Sequence, residues 1–399
     1  MLLRPKKSLT NNPFLEIALK AAINWISGPA LYKFNNNYGV IYGRQLREKA
    51  NSLIYFEATG YAIKLFLNLY KWLRNRTFLD QATKLADSLL EVKCLQDPCY
   101  GAFPYGYNID MKKVIHMYYS FDNAIIASAL IDLYRFCKKE QLLNIAEENC
   151  MWLIRFMQNH DGSFKAMFDL EKCEFARISN WFGDKGCLHA KNSIPLLKLY
   201  VLLGNEQLKN SAEKVYDWVL KLQRKDGAFR ATIYDEYIFT HAHCYATEGL
   251  LYGYYALNNI RYLEAAIKAG LWLMNMQNPD GSLYEVYSGK NSSFSLKKRV
   301  TDASSQAIRI WIMLYCLIGD NKFLQSAQKA AKFVIEMQCK ENKDLNGYGG
   351  FFQACKVVLK YKMVDPWISS WSTMFAIHAF NILRNLQRNK FEELIEELF

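Results

Sequence analysis

"WLIRFMQNHDGSFKAMF", residues 152–168, runs apolar at helical spacing as far as Gln158 and breaks at Asp161-Gly162. Apolar residues three and four apart lay one stripe along a helix, and the Asp-Gly pair supplies both a stop and a turn. The phrase returns as "WVLKLQRKDGAFRATIY" from Trp218 and as "WLMNMQNPDGSLYEVY" from Trp272. Looser copies are "LLEVKCLQDPCYGAFPYGY" from Leu89 and "FVIEMQCKENKDLNGYGGFFQ" from Phe333, and a degenerate one is "AAINWISGPALYKFNNNYGVIYG" from Ala21. The chain therefore carries six copies of one unit.

After each loop comes a second apolar helix, aligned on a small residue five positions from a polar or aromatic one. The six read "EATGYA" from Glu57, "DNAIIA" from Asp122, "HAKNSI" from His189, "HAHCYA" from His241, "DASSQA" from Asp302 and "WSTMFA" from Trp371. Helix, loop and helix, recurring at roughly 50 to 65 residues, is the pattern of stacked helical hairpins, since a single hairpin cannot bury its own face. The second helices are apolar nearly all round, as an inner ring enclosed by an outer one would be. We expect an all-α fold, an (α/α)6 toroid forming a single domain over residues 1–399. Outer helices are predicted near 14–26, 77–94, 140–158, 205–223, 260–277 and 321–339, and inner ones near 55–74, 120–137, 188–203, 241–257, 302–318 and 366–385.

Composition narrows the function. Hydrophobic residues make up 51% of the 399 and aromatic residues 15%, enough for a large core and too many for a disordered chain. The opening "MLLRPKKSLTNN" is too short in apolar residues for a secretory signal, and no stretch reaches about 18 uninterrupted apolar residues. A cytoplasmic protein without a membrane span is expected. Ten cysteines are scattered irregularly, which suits reduced thiols; Cys94 and Cys99 are close, but no second pair completes a metal site. There is no Gly-rich phosphate loop and no dinucleotide fingerprint, so neither a metal nor a cofactor is expected. The net charge of +12 suits an anionic partner, yet lysine and arginine are spread along the whole chain and no nucleic-acid-binding motif appears. Specific nucleic-acid binding is not expected, and nothing in the pattern defines an oligomeric contact.

The chain resembles the six-hairpin toroid superfamily of carbohydrate-active proteins, which includes glycoside hydrolases, sugar epimerases, polysaccharide lyases and the toroid domain of glucuronyl carbon-5 epimerases. The Gln-x-x-Asp-Gly loops at Gln158–Phe164, Gln223–Phe229 and Gln277–Leu283 carry the resemblance. Triterpene cyclases and protein prenyltransferases use a similar toroid with a related Gln-Trp signature. No Asp-x-Asp-Asp or Asp-Asp-x-x-Asp cluster occurs here, so a cyclase-like reaction would lack its protonating or metal-binding group.

If the loops before the inner helices converge on one funnel, as the resemblance implies, the aligned position becomes the candidate site. It holds Glu57, Asp122, His189, His241, Asp302 and Trp371. An Asp at a helix start is commonly an N-cap, which is the plain alternative for Asp122 and Asp302. Four residues deeper stand Tyr61, Ile126, Ser193, Tyr245, Gln306 and Phe375, and seven deeper Lys64, Ala129, Leu196, Glu248, Arg309 and His378. Buried charges at that depth need pairing or water, so Glu248 with Arg309 and Lys64 with His378 are candidate pairs. His241 and His243 point about 200° apart on a helix and are not expected to chelate one metal. The stretch "YDEYIFTHAHCYATEG" adds Asp235 and Glu236 to that cluster. Aromatic loop residues suit sugar rings: Phe103, Tyr105 and Tyr107, then Trp181 and Phe182 beside Arg177, then Tyr284, Tyr287, Trp367 and Trp371. Trp181 stands out because it lies in a polar loop.

Two chemistries fit these residues. Hydrolysis of a glycosidic bond would use Asp122 and Asp302 as acid and base, although they stand across the ring from one another. Epimerisation or elimination on a uronate would use His241 and Tyr245 for proton transfer and Arg309 as the anion partner. Glu57, Trp181, His189, His243, Glu248 and Trp371 are then substrate-binding candidates. We expect a carbohydrate-active enzyme acting on a neutral or uronate-containing oligo- or polysaccharide. The alternative is a catalytically silent toroid that binds a glycan or partner in polysaccharide biosynthesis.

Overall fold

Each repeated Gln-x-x-Asp-Gly phrase folds as a clasp between neighbouring hairpins. The computed structural model describes residues 13–34, 36–47, 53–176, 180–234, 236–288, 298–341, 343–358, 361–386 and 390–399. Within it the Gln223 amide donates to Gly227 O of its own loop (3.1 Å) and to Ala265 O of the next outer helix (2.8 Å). Gln158 does the same toward Gly162 and Ser211, Gln277 toward Gly281 and Ser326, and Gln338 toward Gly349 and Ala18. The loop glycines adopt left-handed φ, 96° at Gly227, where a Cβ would collide with the carbonyl of Lys268. Glycine is required there for two reasons at once, conformation and close approach.

Outer and inner helices alternate along the chain, α1 (Pro13–Ser27) with α2 (Phe56–Leu73), α3 (Arg76–Val92) with α4 (Ser120–Cys137), and α5 (Glu140–Trp152) with α6 (Ser193–Leu203). Of the outer helices, each inner helix packs most closely on the one that follows it around the ring. They continue as α7 (Glu206–Leu220) with α8 (Thr240–Leu257), α9 (Ile260–Met276) with α10 (Thr301–Ile318), and α11 (Asn321–Glu336) with α12 (Ser370–Arg384). The odd helices are amphipathic: α3 buries Phe78, Ala82, Leu85, Ala86 and Leu89, one stripe at intervals of three and four. The even helices are buried through most of their length, as an inner ring requires. Gln338 to Ala18 closes the circle, together with Gly43–Gln45 paired antiparallel to Trp367–Ser369 and the Trp25 indole donating to Asn346 O (2.8 Å). The expected toroid is the fold.

Three elements depart from the predicted helices, the first being the inner helix expected from 366, which begins at Ser370 after a strand over Trp367–Ser369. The outer helix expected over 140–158 ends in a π turn, Leu153–Met157, and the inner helix expected from 188 opens as a 3-10 helix, Cys187–Asn192. Short strands from successive loops pair across neighbouring hairpins, among them Leu53–Tyr55 with Gly106–Asn108 and Met117–Tyr119 with Met167–Asp169. They tie the loops together at the N-terminal end of the inner ring. A thirteenth helix, α13 (Phe391–Leu398), lies against the other end, where Glu396 pairs with Arg135 (2.9 Å) and its carbonyl accepts from Lys64 (2.8 Å). Among the described residues no helix is long and apolar enough to cross a membrane.

Candidate active site

The second residue of every inner helix faces a common cleft. Glu57, Phe121, Leu188, His241, Asp302 and Trp371 each stand two positions after the N-cap of their helix, and all six line it. The cleft encloses about 760 Å³, solvent at its mouth included. Asp122 lines it from one position further on, and Tyr55 and Tyr119 do so from the N-cap positions themselves. The capping explanation for the aspartates fails, because the N-caps are Tyr119 and Val300 and neither helix has a side-chain cap.

Glu57 and Asp122 form a carboxyl pair. Tyr55 stands beside both and Trp371 beside Glu57, and Asp122 Oδ2 is buried without a hydrogen-bond partner among the described residues. Burial raises both above the usual carboxylate range, Asp122 to about 8, and the mutual repulsion of two carboxylates pushes Glu57 further. The pair therefore holds a proton at neutral pH. Asp302, across the cleft, is raised by burial to about 6 although its Oδ1 accepts from the Ala303 amide (2.7 Å). Expected as partners, Asp122 and Asp302 do share the cleft, but the carboxyl that Asp122's charge raises is Glu57.

A belt of rings walls the cleft. It runs from Trp371 to Tyr55 (5.1 Å between centroids), Tyr105 (4.7 Å), Tyr119 (5.4 Å), Phe182 (6.3 Å), Trp181 (5.3 Å) and His241 (5.5 Å). His241 rests on Tyr245 with centroids 4.3 Å apart. Burial lowers its imidazole to about 3, with Lys191 and Arg309 opposing protonation and Glu248 and Gln306 favouring it. Nδ1 of this neutral ring has no partner among the described residues. Of the other aromatic candidates, Phe103 and Tyr107 are buried, Tyr287 bonds to Met276 O (3.0 Å) and Tyr284, like Trp367, stands outside the lining.

Several expected binding residues lie elsewhere. His189 turns behind the cleft, its Nδ1 accepting from Gly186 N (3.2 Å) and its Nε2 facing Ser120 Oγ (3.3 Å). His243 points to the outer ring, with Nδ1 accepting from Phe229 N (3.0 Å) and Nε2 facing Ala269 O (3.2 Å). One residue along a helix is a rotation of about 100°, so an alignment one position out turns a side chain off the cleft. Arg309 and Glu248 do pair, but under the cleft, where both are buried and stand outside its lining. Arg309 is thus committed to Glu248 instead of waiting for a substrate anion. Lys64 pairs with Asp132 (2.8 Å) and not with His378, which lies against Asn68 (3.3 Å). Asp235 and Arg177 lie outside the described residues.

Sequence reasoning missed Lys191. A 3-10 helix repeats every three residues, so Lys191 stacks beneath Leu188, whereas an α-helical template from His189 selects Ser193. The Lys191 ammonium bonds to Glu248 (2.9 Å) and Tyr61 Oη (3.2 Å) and sits over the Tyr245 ring (4.7 Å). Behind the lining, Gln306 donates to Glu248 (3.2 Å) and Arg309 lies over the Phe375 ring (4.5 Å).

Residues 101–374 match the family described as the squalene-hopene cyclase C-terminal domain, more than half of the chain. The chain belongs to that family. No curated protein matches it. Solved structures with the same fold include a sugar epimerase from a ruminal bacterium, at 15% identity over 94% of this chain and 98% of that one, TM-score 0.76. Cellobiose 2-epimerase from Bacillus thermoamylovorans follows at 16% identity, 95% and 99% coverage and TM-score 0.76. An unsaturated glucuronyl hydrolase specific for heparin stands at 11%, 96% and 100%, TM-score 0.69. At such identities the likeness is one of fold.

Proposed function

We propose that the protein is a carbohydrate-active enzyme working by acid–base chemistry on a neutral saccharide, with hydrolysis of a glycosidic bond as its reaction. The observation that carries this is the composition of the cleft: an aromatic belt, three carboxyls at Glu57, Asp122 and Asp302, and no lysine or arginine among the described lining residues. Aromatic faces suit pyranose rings, and carboxyls accept hydroxyls. A uronate would meet negative charge with no cation to offset it, so the net positive charge of the chain does not decide the substrate. Asp122, holding its proton through the pair with Glu57, protonates the leaving oxygen, and Asp302 as carboxylate activates water from the opposite wall.

A cyclase reading has less support, despite the family. Its acid would have to come from the Glu57/Asp122 pair, and the sequence has no Asp-x-Asp-Asp or Asp-Asp-x-x-Asp cluster. A second reading rests on one observation: the unpartnered Nδ1 of neutral His241, a group able to take a proton from a sugar carbon in epimerisation. Proton NMR in deuterated water, with neutral and uronate oligosaccharides, separates these. New reducing ends with the wild type and none with Asp122→Asn support hydrolysis. Deuterium at a ring carbon without cleavage supports epimerisation instead, and binding without turnover supports a silent glycan-binding toroid.

A further inference from the structure

Beneath the cleft, three charges are buried together. Lys191 and Arg309 both bond to Glu248, and all three side chains are 3% exposed or less. Two cations against one carboxylate leave a positive charge in excess, enclosed by the rings of Tyr61, Tyr245, Phe375 and Phe399. Arg309 already satisfies Glu248, so pairing alone does not explain a second cation. A buried ammonium is costly unless something else uses it.

Lys191 also reaches two tyrosines under the cleft. Its ammonium donates to Tyr61 Oη (3.2 Å) and sits over the ring of Tyr245 (4.7 Å), the lining residue on which His241 rests. Tyr61 stands one helical turn beyond Glu57 on α2. We infer that Lys191 is a positioning residue of the site: it joins the Glu248–Arg309 pair to Tyr61 and Tyr245 and places a cation about one helical turn beneath Glu57. The inference rests on the acid–base reading of the cleft, though its test needs no substrate.

The groups around the Glu57/Asp122 pair are Tyr55, Tyr105, Tyr119, Tyr42, Tyr61, Tyr245 and Trp371, and the Lys191 ammonium lies beyond them on Tyr61. Removing that cation disfavours the ionised pair, so its midpoint must rise. The experiment is a carboxyl ¹³C NMR titration of the Glu57/Asp122 pair in wild type, Lys191→Met and Lys191→Arg, with thermal melting alongside. Lys191→Met leaves Glu248 paired with Arg309 and is expected to fold. Its midpoint should rise by roughly one pH unit, while Lys191→Arg keeps the wild-type value. An unmoved midpoint in Lys191→Met with a lowered Tm would make Lys191 a packing residue and overturn the inference. If Lys191→Met does not fold, a shift of a full unit in Lys191→Arg, where charge is retained, overturns it as well. Absence of hydrolysis by the wild type in the saccharide assay would count against the hydrolase reading and leave the role of Lys191 to the midpoints.

Discussion

Glu57 and Asp122 both stand beside Tyr55 in the wall of the cleft. Two buried carboxyls that repel one another hold one proton between them, and this lets the pair act as a proton donor at a pH where an isolated aspartate would be ionised. Tyr55 favours ionisation of both carboxyls, against burial. Tyr55→Phe is therefore expected to raise the pair's midpoint further and to lower kcat by roughly ten-fold or more, since a weaker acid donates more slowly. A pH profile whose descending limb stays at its wild-type position would remove Tyr55 from this role.

Activity should follow a bell in pH. Asp302 must lose its proton to serve as base, so the rate rises through about 6; Asp122 must keep its proton to serve as acid, so the rate falls through about 8. Asp302→Asn should abolish the ascending limb with a loss of roughly 10²–10⁴ in kcat. An unchanged limb in that variant would assign it to another group.

The aromatic belt predicts a binding effect separate from chemistry. Trp181 lines the cleft from a loop and packs edge-on against His241 at 5.5 Å. Trp181→Ala should raise KM roughly ten-fold, equivalent to about 1.4 kcal/mol, with a smaller effect on kcat. A saccharide titration of Trp181→Ala with wild-type affinity would show that the ring serves packing alone.

Glu248 is the counter-charge for two buried cations, and burial is outweighed by Arg309 and Lys191, which hold its carboxyl below the usual range. That depressed value contributes stability above the unfolded carboxylate pKa and loses it as the pH falls through the folded one. Glu248→Gln leaves Lys191 and Arg309 without a carboxylate and should cost roughly 3–5 kcal/mol in urea unfolding. A loss under about 1 kcal/mol would mean that water or another group neutralises them.

The clasp has its own test. Gly227 and Gly204 both adopt left-handed φ, 96° and 68°, but only at Gly227 would a Cβ meet backbone, that of Lys268. Gly204→Ala should cost about 1 kcal/mol for conformation alone, and Gly227→Ala at least about 2 kcal/mol, because the hairpins must also separate. Equal losses in the two variants would show that the loops do not hold neighbouring hairpins at that point.

Much of this architecture was legible in the phrase around Gln158. Its apolar spacing, the Gln and the Asp-Gly turn are local properties, and each copy needs only its neighbour to complete the clasp, so six copies in order imply hairpin stacking. The polar starts of the inner helices pointed to the right end of the ring for the same reason: Glu57, His241, Asp302 and Trp371 occupy equivalent places in their helices.

What tertiary structure decided is which side chain at each start faces inward and what meets it there. His189 and His243 look like their neighbours in sequence, yet a rotation of about 100° per residue sends them to backbone partners outside the cleft. Lys191 comes beneath the cleft because its segment coils as a 3-10 helix. The partner of Asp122 is Glu57, 65 positions earlier, and the charge state of that pair comes from burial between two hairpins. Periodicity is written into each segment of the chain, whereas register, burial and the charges that meet across the ring exist only once the six hairpins have closed upon one another.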